Sequence, residues 1–167
     1  DVGGLIGRCS SFEIIDFNEC WTSGNLNGIR NTGGLIGILK NQSQACIANC
    51  YTTGTIRGDI GTVGGLIGSC GSIVLKNSYT TGKIISGEVA GGLIGSLERN
   101  SSLTDCYATG DIVKSQIQNA RWVVFFGGLV GRIAPDGDIM GGNCTFQGCY
   151  ANGEIILPAG ERVLCGG

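Results

Sequence analysis

The chain has 167 residues, 32 of them glycine and only 2 proline, with 42% apolar and 14% charged residues and a formal net charge of −2. So little charge on so apolar a chain excludes a disordered tail, and the lack of any basic run excludes nucleic acid as a partner, since phosphate needs clustered Lys and Arg. No apolar stretch approaches the roughly 20 residues that span a bilayer.

The first element is a glycine block, Val2-Gly3-Gly4-Leu5-Ile6-Gly7, and the chain repeats it. Copies begin near Gly3, Gly33, Gly64, Gly91 and Gly127, at steps of 30, 31, 27 and 36 residues. A period in this range marks an array in which each unit buries its apolar face only by stacking on a neighbour. Asp1-Val2 opens inside a repeat, and Val163-Leu164-Cys165-Gly166-Gly167 resembles the start of a sixth copy. Residues 1–167 are therefore expected to form a single repeat domain and to be a piece of a longer solenoid.

A second block follows each glycine block: Cys20-Trp21-Thr22-Ser23-Gly24, Cys50-Tyr51-Thr52-Thr53-Gly54, Ser78-Tyr79-Thr80-Thr81-Gly82, Cys106-Tyr107-Ala108-Thr109-Gly110 and Cys149-Tyr150-Ala151-Asn152-Gly153. Around the aromatic, small and aliphatic residues alternate strictly with polar ones, a period of two that signals strands. The Cys or Ser, the Thr or Ala, the Gly and the Ile or Leu two residues beyond it are expected to face inward. Four residues before the aromatic the column Phe17, Ile47, Leu75, Leu103 and Phe146 is always apolar and is expected in the core. Two before it, Glu19, Asn49, Asn77, Asp105 and Gly148 form a column expected to mark a turn, with stacked copies able to bond one another. Each repeat is expected to hold about three short strands. That length fits one turn of an all-β parallel solenoid of about five coils, right-handed, with copies roughly 4.8 Å apart. A propeller blade needs roughly 40 or more residues, which these repeats lack.

The run Gly-Gly-Leu-Ile-Gly, then Cys-Tyr-Thr-Thr-Gly and a spaced Ile, resembles the GLUG repeat family over essentially the whole chain. That resemblance implies a structural or adhesive module of large surface or secreted proteins, with no catalytic residue to carry over. The cysteine content departs from bacterial adhesins of that kind and leaves a eukaryotic microbe open as the source.

Chemistry-bearing residues are sparse. There is no His, which excludes Ser-His-Asp and Cys-His arrangements and His metal sites. The Cys spacings, such as Cys46 to Cys50, are not those of a zinc ribbon, and no metal or other cofactor is expected. Nine Cys and three sequons at Asn41, Asn100 and Asn143 favour an extracellular or cell-surface setting with glycosylation; reduced, buried Cys acting as small apolar filler is the alternative. Cys20 and Cys50 share a column on adjacent coils, as do Cys106 and Cys149, close enough for disulfides. A ladder of free thiols is the other reading. Acids scatter, with Glu13, Asp16 and Glu19 near one another and Asp136 and Asp138 in a turn, which speaks against a polysaccharide-acting β-helix. Adjacent Thr, as in Thr52-Thr53, cannot both face out, which speaks against ice binding.

Alternation places the column Trp21, Tyr51, Tyr79, Tyr107 and Tyr150 outward, a candidate surface for a glycan, a surface protein, further repeats or like subunits. Leu5 and Ile6 pose the same puzzle, since one of two neighbours should point out. A bulge or a glycine-driven bend that turns these side chains inward is the alternative for both. Two insertions lengthen the fifth repeat, 114–125 and 134–143. Insertions in solenoids map to loops, often on the binding face, so Arg121 and Trp122, with Arg132, Asp136 and Asp138 nearby, join the candidate surface; loop drift is the alternative.

Overall fold

The computed structural model describes residues 1–167 except 12, 42, 43, 99, 117–123, 134–142, 159–163 and 167, and describes 11, 41 and 164–166 by backbone alone. Short strands recur in fixed order. In the second coil they are Thr32–Gly33, Ile36–Asn41, Ala45–Ala48, Tyr51–Thr52 and Ile56–Gly58. Counterparts on successive coils pair in parallel and in register, as Ile6, Ile36, Ile67, Ile94 and Val130 do. The result is five sheets, the first of six strands and the others of five. This is the parallel β-solenoid that the repeats predict. The described strands make about four turns, slightly fewer than the five coils expected.

Each coil holds five strands, not three, because two local devices break the longer runs. The first is the column before the aromatic. Glu19, Asn49, Asn77, Asp105 and Gly148 all adopt the left-handed region, with φ of 56°, 55°, 46°, 51° and 62°. Four of the five are non-glycine residues, and Asn and Asp tolerate this conformation best. The turn separates the third sheet from the fourth in every coil. Asn77 Nδ2 donates to Asn49 Oδ1 at 3.4 Å, the inter-coil bond expected of stacked copies, whereas Asn49 Nδ2 donates at 2.9 Å to Oδ1 of Asn18, the residue before Glu19.

The second device is the glycine block. The Leu66 carbonyl accepts from both Leu35 N and Ile36 N, at 2.9 and 3.1 Å, and the Leu35 and Leu93 carbonyls do the same for the coil before. One carbonyl serving two amides kinks the strand between Leu and Ile. Both side chains then face inward: Leu35, Leu66, Leu93, Ile36, Ile67 and Ile94 are all buried. Strict alternation fails here and the glycine-driven bend prevails. A Cβ on Gly64 would overlap the Ile67 carbonyl oxygen, one on Gly65 the Gly92 carbonyl, and one on Gly68 would lie 2.5 Å from the Gly37 carbonyl. The motif keeps three glycines because the backbone of the same coil or of a neighbouring one fills the space.

The core divides into a large cluster under the second, third and fourth sheets, containing Leu66, Ile67, Leu75 and Cys50, and a smaller one under the first and fifth, containing Ile56, Val63, Ile84 and Phe126. The inward set around the aromatic is buried in the middle coils as predicted, including Ile47, Leu75 and Leu103.

Candidate functional site

The fourth sheet carries the two columns that matter most, on opposite faces. Outward stand the aromatics. Trp21 and Tyr51 stack with centroids 5.8 Å apart, Tyr51 and Tyr79 at 5.0 Å, Tyr79 and Tyr107 at 4.8 Å, and Tyr107 and Tyr150 at 5.0 Å, all within 4° of parallel. Here alternation holds and no bend turns the rings in. Trp21 and Tyr150 are about half exposed, and the three rungs between them are partly exposed. Each inner ring gives both faces to its neighbours and only its edge and hydroxyl to solvent. Loss of water around the Tyr107 phenol, then the charges its neighbours Tyr79 and Tyr150 would carry, push its pKa up.

Inward stand Cys20, Cys50, Ser78, Cys106 and Cys149. The four cysteines are free thiols, stacked in the two expected pairs. Cys20 N lies 3.4 Å from Cys50 Sγ. A role for this column that the sequence reading did not assign is to satisfy the backbone next to the left-handed turn. Cys50 Sγ donates to Ala48 O at 3.1 Å, Cys106 Sγ to Thr104 O at 3.1 Å, and Ser78 Oγ to Lys76 O at 2.7 Å, each two residues back. A short side chain with an S–H or O–H fits, which explains why Ser interrupts the Cys. Burial pushes the Cys106 thiol up to about 11 and raises those of Cys50 and Cys70. The next column, Thr22 and Thr52, donates to the Gly34 and Gly65 carbonyls at 2.8 and 2.7 Å and ties the fourth sheet to the glycine corner.

The three sequons share one corner, between the second and third sheets. Ser101 pairs with Cys144, so Asn100 and Asn143, both exposed, are neighbours on adjacent coils. Asn41 ends the strand Ile36–Asn41 at the same corner of the second coil. Spacing along the chain hides this alignment; the register reveals it.

Arg121 and Trp122 lie outside the described residues, as do Asp136 and Asp138. The flanking strands put the two insertions at different corners, one between Ile112–Lys114 and Phe125–Gly127 and the other between Val130–Ile133 and Cys144–Gln147. Arg132 Nη2 donates to Ser96 Oγ at 3.4 Å. At the open end of the fifth coil a hollow of about 530 Å³ is lined by Leu129, Val130, Ile133, Phe146 and Ile155, and none of its lining residues is a carboxylate. Among the described residues no three His, Cys, Asp or Glu side chains gather as a metal site would require, and no helix is long and apolar enough to cross a membrane.

In-register stacking of a Gly-Gly-Leu-Ile-Gly corner, four times with Ile and a fifth time with Val130 in its place, defines a class: a parallel β-solenoid built of GLUG repeats. The family described as the GLUG motif matches residues 86–113, which run from the fifth sheet of the third coil to that of the fourth. The chain is also similar to Halomucin of Haloquadratum walsbyi, 32% identical over 145 residues, 80% of this chain. That stretch is 2% of Halomucin, so the chain spans a small part of that relative. No solved structure matches.

Proposed function

We propose that the chain is a non-enzymatic repeat module of a secreted or cell-surface protein, a single domain within a longer solenoid that acts as a stalk or filament segment. The observation that carries this reading is the spending of the repeat on stacking. The glycines, the apolar columns, the turn column and the thiol column each make contact with a neighbouring coil. The family, and a relative far longer than this chain, support it. In an oxidising compartment the stacked pairs Cys20 with Cys50 and Cys106 with Cys149 would close into coil-to-coil disulfides, and Asn41, Asn100 and Asn143 would line one edge with glycan.

An adhesive role rests on the exposed aromatic ladder. Its inner ring faces are taken by neighbours, so a glycan or a surface protein would meet edges, hydroxyls and the flanking Asn and Thr rows rather than open ring faces. That favours the stalk over a sugar-stacking platform.

The test is the intact mass of natural-source material, before and after reduction and deglycosylation. Mass shifts that map to the paired cysteines or the sequon edge are expected. Fully free thiols with bare sequons would overturn the extracellular reading.

A further inference from the structure

Stacking of the core does not require tyrosine on the outer face of the fourth sheet, yet four successive coils place it there, at 51, 79, 107 and 150. We propose that this ladder is an oxidative cross-linking site, at which a haem peroxidase with hydrogen peroxide, or an equivalent one-electron oxidant, joins tyrosines of adjacent coils. The proposal does not depend on where the protein resides.

The geometry supplies what the coupling needs. Two phenoxyl radicals must meet before either is quenched, and the fold holds each phenol beside another. The three Tyr–Tyr contacts run from 4.8 to 5.0 Å between centroids, with planes within 4°. Holding reactants side by side makes the joining step unimolecular. The ring edges, where the reactive ortho carbons and the hydroxyl lie, are the parts left to solvent. The buried thiols on the opposite face, Cys50 and Cys106, are shielded from the same oxidant.

The step balances. Each of two phenols gives up one electron and its phenolic proton. The two radicals join ortho carbon to ortho carbon, and each ring then passes its displaced ring proton to the oxygen, which restores two phenols. Hydrogen peroxide takes the two electrons and two protons and leaves as two waters. Each link therefore removes two hydrogens from the chain. If each tyrosine couples once, the ladder allows at most two links, Tyr51 with Tyr79 and Tyr107 with Tyr150; a Tyr79–Tyr107 link then leaves the outer two with no uncoupled neighbour.

The experiment treats the full chain, dilute, with haem peroxidase and hydrogen peroxide. It reads dityrosine fluorescence, intact mass after reduction, and cross-linked peptides. The expected product is a monomer lighter by two hydrogens per link, with links only between adjacent rungs. Two double variants carry equal numbers of tyrosines and keep every ring. Y51F/Y150F leaves Tyr79 beside Tyr107 and is expected to couple within the chain. Y79F/Y107F leaves Tyr51 and Tyr150 three coils, roughly 14 Å, apart, and is expected to lose at least about 10-fold of the intramolecular product. Equal coupling in the two variants, links only between chains, or equal intramolecular coupling in denaturant would overturn the proposal.

Discussion

The middle coils and the end coils carry the same motif and do not share the same burial. Leu35, Leu66 and Leu93 are at most 1% exposed, whereas Leu5, in the same column, is 48% exposed. Ile47, Leu75 and Leu103 are buried, and Phe146 at the far end is 43% exposed. The side chains are equivalent; what differs is the number of neighbouring coils. A coil's core is thus not a property of its own sequence but of the coil above and below it, as the physics of stacked repeats requires.

Paired substitutions at equivalent positions break or sharpen this contrast. The largest difference is expected at the glycine that closes the second block. A Cβ on Gly54 would overlap the Gly24 carbonyl, and one on Gly82 the Gly54 carbonyl, whereas Gly24 has nothing within 4 Å. Gly54→Ala is expected to cost about 3 kcal/mol or more, because backbone must move. Gly24→Ala is expected to change stability by less than about 0.5 kcal/mol, or to raise it slightly through the unfolded chain. Thermal or denaturant melts of the two variants compare them directly.

Next comes the leucine column. Leu66→Ala is expected to cost about 2–5 kcal/mol by leaving a cavity in the large cluster. Leu5→Ala removes a side chain already half in water and is expected to cost less than about 1 kcal/mol. Similar losses for the two would mean that coil one is covered by something beyond its neighbour.

A smaller effect is expected with pH. In the reduced chain the Cys106 thiol, ordinarily near 9.0, is pushed up to about 11 by burial. Between those values the native chain keeps a proton that the unfolded chain releases. Stability should therefore be complete below pH 9 and fall as pH rises towards 11, by at most about 1.4 kcal/mol per pH unit from this group. Cys50 and Cys70, raised in the same direction, add to the slope. Denaturant midpoints measured across that range should show a shallower fall in Cys106→Ser, which keeps a donor as Ser78 does.

The smallest effect is expected at the left-handed turn. Asn77 has φ 46°. Asn77→Val should cost roughly 1–2 kcal/mol and Asn77→Gly only a few tenths, as read by the same melts.

Much of this was legible before any coordinates. The five-fold glycine block predicts the solenoid, the alternation around Tyr51 predicts which side faces out, and the Asn column predicts the turn. What alternation cannot carry is the kink between Leu35 and Ile36, because a shared carbonyl acceptor on the next coil creates it. Nor does spacing reveal that Asn100 and Asn143 are neighbours, since the 43-residue step between them (143 − 100) hides an unchanged register. The thiol column was legible as stacked pairs, but its bond to the carbonyl two residues back depends on the turn between them. Arg121 and Trp122 stood out only as parts of an insertion, and nothing in a repeat pattern positions an insertion.

The central claim, that each coil is stable only through its neighbours, is tested most directly by native-state hydrogen exchange resolved along the chain. The account predicts a gradient. In a chain of residues 1–167 alone, the amides of Leu66 and Leu93 should be protected most, and those of Leu5, Ile6 and Tyr150 should exchange much faster, with protection falling towards both ends. Equal protection in the first, third and fifth coils would contradict it and would mean that a coil holds its own core.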